Sequence, residues 1–201
     1  MTPLPRRSGK RVRAEVSYAM DERIFLTKGE LLRVEGEIRI SRHVARYALL
    51  RQYAYGHVVD IACGCGYGSY LLATNPDVTH VTGVDASGEA IAHARANFQT
   101  PKTTFCESLV EDFTSDRAID LVISVETLEH LRDLSAFRSF LGRNAAPRFI
   151  VTYPSKKTTH YNKFHHHDLS LSEVEELFSD YRLERHFNWE HEFDVCFFGK
   201  P

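Results

Sequence analysis

The stretch "HVVDIACGCGYGSYLLA", His57 to Ala73, constrains the fold more than any other part of this 201-residue chain. Val58, Val59 and Ile61 read as a buried strand; Gly64, Gly66 and Gly68 follow at alternate positions before a helical pattern begins. Glycine admits positive φ and leaves no Cβ in the way of a ligand. The helix start beyond the turn exposes unpaired N–H groups with partial positive charge, which suits a carboxylate or phosphate. A carboxylate at the junction, Asp60, is costly to bury unpaired, which argues against a purely structural role.

The same strand-then-helix alternation continues along the chain. Apolar runs predict strands at 57–62, 79–84, 103–106, 119–125 and 148–153, with helices at 67–74, 87–98, 133–142 and 170–178. Ser87 starts one helix, and Ser170 or Ser172 with Glu173 or Glu175 offers a capping box for the last. Near-continuous apolar strands alternating with helices imply a parallel sheet covered on both faces. After the last helix, "YRLERHFNWE" and "FDVCFFGKP" are separated by only a short turn, so they pair antiparallel at the sheet edge. The expected fold is α/β, a Rossmann-like, seven-stranded, mostly parallel sheet with an antiparallel C-terminal strand and helices on both faces. Ahead of it, "EIRISRHVARYALLRQYA" puts Ile38, Val44, Tyr47, Ala48 and Leu50 near one helical face. Residues 1–35 read as a tail and lead-in, with Arg6, Arg7, Lys10, Arg11 and Arg13 in a solvated segment, and 36–201 as one domain.

Composition narrows the class. The 25 basic and 27 acidic residues nearly cancel, which argues against an obligate nucleic-acid binder. No apolar run approaches the ~20 residues of a membrane span, and the N-terminus lacks the apolar core of a secretory leader. Cys63, Cys65, Cys106 and Cys196 lie at neither disulfide-scaffold nor zinc-ribbon spacings, so they read as reduced residues of a cytoplasmic chain.

Asp85 ends the second strand, twenty-one positions after Gly64, where a carboxylate accepts the ribose hydroxyls of an adenosine. A G-x-G-x-x-G dinucleotide fingerprint anchored at Gly64 would need glycine where Ser69 stands. Asp60 is unwelcome beside a pyrophosphate and useful beside a cation; S-adenosylmethionine carries an ammonium and a sulfonium. NAD-dependent oxidoreduction is therefore the weaker of the two readings.

"VVDIACGCGYG" resembles the first motif of class I S-adenosylmethionine-dependent methyltransferases, with Ala62 in place of the first glycine. "VTGVDASGEAIAHARANF", "TFCESLVEDF", "DLVISVETLEHL" and "PRFIVTYPS" resemble the motifs that follow, in order. The resemblance implies S-adenosyl-L-methionine as cofactor. Asp60 and the backbone from Ala62 through Gly64 to Gly66 would hold its amino-acid end, Asp85 its ribose and Ala86 its adenine face. Ser108, Leu109 and Val110 would border the adenine edge, without the acid often found there. Ser124 and Val125 would lie beside the methyl.

In "VETLEHL", Glu126, Glu129 and His130 are spaced i, i+3, i+4, which a helical turn would place on one face. Two carboxylates and an imidazole suit Mg²⁺, Mn²⁺, Fe²⁺ or Zn²⁺, with a fourth ligand from "TTHYNKFHHHDLSL". The element is similar to those of small-RNA 2′-O-methyltransferases and ubiquinone-biosynthesis O-methyltransferases. Counting back from Ser170, His165 best matches the later histidine of the first group, with His167 second. Three roles stay open for a group whose candidate catalytic residues are His130, His165 and Glu126: a metal on Glu126, Glu129, His130 and a histidine from 165–167, best His165; general-base catalysis by one of these histidines without metal; or neither. Lys156, Lys157, His160, Tyr161 and Lys163 would make a basic mouth for an anionic acceptor, and His43 and Tyr47 would lie on a helix lidding the cofactor. The activity expected is O-methylation of a small hydroxyl acceptor such as a sugar or glycan precursor. The alternatives are metal-dependent RNA 2′-O-methylation and a catalytically silent cofactor-binding module.

Overall fold

The computed structural model describes residues 27–31 and 38–201. The basic residues between Arg6 and Arg13 lie outside the described residues. A short α1 (Lys28–Leu31) and a long α2 (Ile38–Arg51) lead into β1 (Gly56–Ile61), α3 (Tyr67–Ala73), β2 (Val78–Asp85), α4 (Gly88–Phe98) and β3 (Thr103–Glu107). Then come β4 (Leu121–Val125), a three-residue 3-10 turn (Leu128–His130), α5 (Ser135–Arg143), β5 (Arg148–Pro154), α6 (Leu171–Leu177), β6 (Arg182–Trp189) and β7 (Phe193–Gly199).

The seven strands form one sheet in the order β3-β2-β1-β4-β5-β7-β6. All pairs from β3 to β5 are parallel, while β7 pairs antiparallel with both β5 and β6. The short connection from β6 to β7 permits nothing else, and the seven-stranded expectation holds. Each expected helix is present within a few residues. Ser87 caps α4 by accepting from the Ala90 N–H, and Ser170 closes a full capping box with Glu173 on α6.

Alternating side chains divide the core in two. Val58, Ile123 and Ile150 pack with Leu50, Leu72, Ile91 and Phe98 of α2, α3 and α4. Val59, Val122, Phe149 and Val151 face the opposite way, against Phe137 and Phe140 of α5, Val174 of α6 and Phe178 just beyond it. Leu31 of α1 joins the first cluster. Burial of each large apolar side chain stabilises such a fold by about 1.5–3 kcal/mol.

Topology fixes where a ligand can enter. From β1 the chain winds outward through β2 and β3, then restarts on the other side at β4 and β5. The connections leave β1 and β4 in opposite directions, which opens a crevice beyond their carboxyl ends. Gly66, at φ 85°, turns the chain from that crevice into α3, and a Cβ there would sit 2.6 Å from that of Ala94 and 2.8 Å from the Phe105 ring. Gly66→Ala should therefore destabilise the fold by about 1–3 kcal/mol, the usual range for overpacking. Urea unfolding measures this, and an unchanged midpoint would contradict the packing described.

Candidate active site

The turn after β1 is built from three left-handed residues, Ala62 (φ 59°), Gly64 (φ 54°) and Gly66 (φ 85°). The Cys63 N–H donates to the Val84 carbonyl at 2.9 Å, so the turn continues the β1–β2 pairing. Asp85 then ties two loops together. Its carboxylate accepts from the Gly64 N–H at 2.9 Å and the Ser87 N–H at 2.8 Å. A carboxylate offers two acceptor oxygens, the kind of group a pair of ribose hydroxyls requires. A Cβ added at Gly64 would meet nothing within 4 Å among the described residues, so this face of the turn is open with respect to them.

Asp60 behaves differently. It is fully buried and is not among the residues lining the cavity above it. The Tyr47 hydroxyl donates to one carboxylate oxygen at 3.1 Å and the Ser69 hydroxyl to the other at 2.5 Å. Burial pushes its pKa up to about 7, against the two hydroxyl donors, and the neighbouring Asp85 charge adds to the rise. The negative charge expected at the cofactor's amino-acid end therefore lies beneath the surface, and Tyr47 presents its other side to the cavity.

That cavity has a volume of about 590 Å³. The face of α2 supplies His43, Arg46 and Tyr47; the β1 turn supplies Ala62 to Cys65; β2 ends in it at Asp85. Opposite stand Val125, Glu126, Glu129, His130 and Arg132, with Asn162 to His166 closing the mouth. The other expected cofactor positions do not line it. Gly66 packs against Ala94 and Phe105. Ala86 is exposed, and Leu109 is 48% exposed on the loop after β3, with Val110 against the α5–α6 side of the core. Ser124 shares a face with Val122, so its hydroxyl is buried in that same half of the core, where no partner among the described residues accepts or donates to it.

The expected helical turn carrying Glu126, Glu129 and His130 is shorter than the spacing implies. Only Leu128–His130 is helical, as a 3-10 turn. Glu126 precedes it at φ 50°, and its side chain goes elsewhere. Arg46 donates to Glu126 Oε2 at 3.2 Å and the Thr152 hydroxyl to Oε1 at 2.9 Å. Two bonds already claim this carboxylate, and the compact group is Glu129, His130 and His165, whose candidate ligand atoms all lie within 4.8 Å of one another. The rings of His130 and His165 meet edge to face at 4.6 Å.

The three consecutive histidines have three separate jobs. His165 joins the cluster, the His166 N–H donates to the Glu129 carbonyl at 2.7 Å, and His167 Nε2 reaches the Leu131 carbonyl at 2.8 Å. His130 Nδ1 lies 3.2 Å from the Phe164 carbonyl. These contacts zip the loop onto the 3-10 turn. Of the basic mouth, Lys163 lines the cavity, whereas Lys156 pairs with Glu192 at 3.4 Å. Sequence reasoning missed Arg46, which stacks over Phe193 at 4.5 Å as well as pairing with Glu126. It lies three positions after His43, on the same face of α2, and that spacing was the available signal.

The family model for the methyltransferase domain matches residues 58–144, from β1 through α5. Residues 58–144 thus form a methyltransferase domain. Among curated relatives, the ubiquinone biosynthesis O-methyltransferase of Rickettsia bellii is 26% identical over 154 residues, 63% of this chain and 61% of that protein. The chain thus spans about three fifths of that relative's length. Among solved methyltransferases, the N-methyltransferase NodS from Bradyrhizobium japonicum, in complex with S-adenosyl-L-homocysteine, superposes with a TM-score of 0.64 at 16% identity. That match covers 84% of this chain and 91% of NodS. The methyltransferase domain of the bacterial CtHen1 has a TM-score of 0.62 at 20% identity, covering 81% and 100%. At these identities the two structures share the family fold with this chain.

The raised pKa of Asp60 has a consequence for stability. In the unfolded chain the group titrates near its ordinary 3.8, and in the folded chain near 7. The folded state therefore holds the extra proton, and Asp60's contribution is full below about pH 4 and is lost as pH rises through about 7. Asp60→Asn, which cannot ionise, should gain stability relative to the unsubstituted chain across that window. Parallel urea titrations from pH 4 to 7 read this directly; curves that keep a constant separation would refute it.

Proposed function

We propose that this chain transfers the methyl group of S-adenosyl-L-methionine to a hydroxyl of a small anionic acceptor. The observation that carries the reading is a single cavity lined by both the β1 turn with Asp85 and the Glu129–His130–His165 cluster. One wall has the backbone and carboxylate that suit an adenosine cofactor, and the other has proton acceptors for a nucleophile. The similarity to the ubiquinone biosynthesis O-methyltransferase of Rickettsia bellii supports hydroxyl transfer.

Methyl transfer is an in-line displacement, and orientation of the two reactants can supply on the order of 7–11 kcal/mol. In this chain Asp85 would accept from the ribose hydroxyls. The buried Asp60 would favour the positive end of the cofactor through Tyr47. Arg46, neutralised by Glu126 on one side, would meet the cofactor carboxylate. His43 and Tyr47 on α2 would cover the bound cofactor and exclude water. Arg132 and Lys163 at the mouth suit an anionic group on the acceptor.

One carboxylate and two imidazoles are a donor set that fits a divalent ion such as Mn²⁺, Fe²⁺ or Zn²⁺. Glu129, His130 and His165 would hold it, and it would supply Lewis acidity that eases loss of the acceptor's hydroxyl proton. The same donors would suit the terminal ribose diol of an RNA. The net charge of −2 favours the small acceptor, since nucleic-acid affinity comes mainly from neutralised phosphates.

Labelled methyl transfer onto a panel of anionic hydroxyl compounds and RNA ends, with Mn²⁺ or chelator, tests this. Transfer should depend on the cation and be abolished in Glu129→Gln, with S-adenosylhomocysteine affinity unchanged. Chelator-insensitive transfer would instead assign a histidine base, and transfer confined to RNA would overturn the small-acceptor reading. Asp85→Ala should weaken S-adenosylhomocysteine binding by about 1–3 kcal/mol, as lost hydrogen bonds to a charged group do. Calorimetric titration reads that loss, and equal affinity would remove Asp85 from the cofactor site.

A further inference from the structure

The loop from Thr158 to Asp168 is closed on itself. The Asp168 carboxylate accepts from the Thr158 N–H at 2.6 Å, the Thr159 N–H at 3.1 Å and the Thr159 hydroxyl at 2.6 Å. One residue thereby ties together the two ends of an eleven-residue span. Inside the closed loop, the Thr158 carbonyl accepts from the N–H groups of Tyr161 and Asn162, and the Asn162 carbonyl from that of His165. Thr158 is 6% exposed, and its hydroxyl lies 2.5 Å from His165 Nδ1 and 3.5 Å from Asp168 Oδ1.

We propose that Thr158 and Asp168 are positioning residues for His165, holding its ring so that Nδ1 carries the proton and Nε2 the lone pair. This rests on the reading of Glu129, His130 and His165 as the working cluster. A hydroxyl has one proton to give and two lone pairs to offer, whereas an ionised carboxylate can only accept. With its proton directed to Asp168, the Thr158 hydroxyl accepts from His165 Nδ1–H, and the tautomer follows. His130 reaches the same state by a different partner. Its Nδ1 faces the Phe164 carbonyl, which can only accept, so that nitrogen holds the proton too. Both imidazoles then keep the basic nitrogen on Nε2, the arrangement a hydroxyl proton or a divalent ion requires. Outer partners of this kind fix ring orientation, and their loss typically weakens a metal site 10- to 100-fold.

Long-range proton–nitrogen NMR spectra of the histidine-labelled full chain decide the tautomer at about pH 8, where a histidine of ordinary pKa is neutral. His165→Gln assigns the His165 signals. The unsubstituted chain and Thr158→Ser should show the Nδ1–H pattern, and Thr158→Val and Asp168→Asn should show mixed tautomers. An Nε2–H pattern in the unsubstituted chain, or a Thr158→Val spectrum identical to it, would overturn the assignment. Mn²⁺ titration gives a second readout. Affinity should fall 10- to 100-fold in Thr158→Val and Asp168→Asn and recover in Thr158→Ser. Equal affinity in all four chains would contradict the proposal. If the unsubstituted chain binds no Mn²⁺, the metal reading fails while the NMR pattern still decides the positioning role. Unchanged S-adenosylhomocysteine affinity across the series shows that the fold is intact.

Discussion

Beneath the turn that follows β1, a carboxylate with no solvent exposure is held by two hydroxyls from different helices. Tyr47 comes from α2 and Ser69 from α3, and Asp60 itself belongs to β1. Burying a carboxylate costs several kcal/mol unless hydrogen bonds or neutralisation offset the loss of water. Its pKa near 7 shows how nearly balanced ionisation and protonation are at this point. The clasp fixes α2 against the crevice, and α2 in turn supplies His43, Arg46 and Tyr47 to the cavity. Gly68 belongs to the same device: a Cβ there would lie 2.2 Å from the Tyr47 ring, so its absence seats the tyrosine.

A second polar link runs from α2 to the sheet. Arg46 spans from α2 to Glu126 at the end of β4, and Glu126 takes the Thr152 hydroxyl from β5. Glu126 adopts a left-handed backbone that costs a non-glycine residue roughly 1–3 kcal/mol, and such strain clusters at functional sites. The same cavity is lined by the turn with Asp85 and by Glu129, His130 and His165. The 3-10 turn and the histidine loop support each other through backbone and ring contacts, which makes the cluster a product of two short segments thirty-five residues apart (His130 to His165) in the chain.

The sheet, its antiparallel edge and its helix caps were legible because apolar periodicity and capping chemistry are local signals. The place of Asp85 at the end of the second strand, against the glycine turn, was legible from apolar periodicity and spacing. The glycine ladder was legible as a pattern but not as a mechanism. A Cβ at Gly64 would meet nothing among the described residues, Gly66 meets Ala94 and Phe105, and Gly68 receives the Tyr47 ring, three reasons that only packing reveals. Spacing placed Glu126 with Glu129 and His130 by assuming a continuous helical turn, and the left-handed backbone at Glu126 breaks that assumption. Ser124 was read from its motif position, while strand alternation sends it into the opposite half of the core. Arg46 and Thr158 were missed because their significance comes from residues 80 and 7 positions away, respectively, brought close by the fold.

Whether the crevice is a site for a sulfonium nucleoside is settled most directly by calorimetric titration of the folded, unsubstituted chain with S-adenosylhomocysteine. Saturable binding of one equivalent, abolished by blocking the open face of the turn with Gly64→Trp, is the expected result. A demonstrably folded chain that gives no heat with this ligand would contradict the central claim.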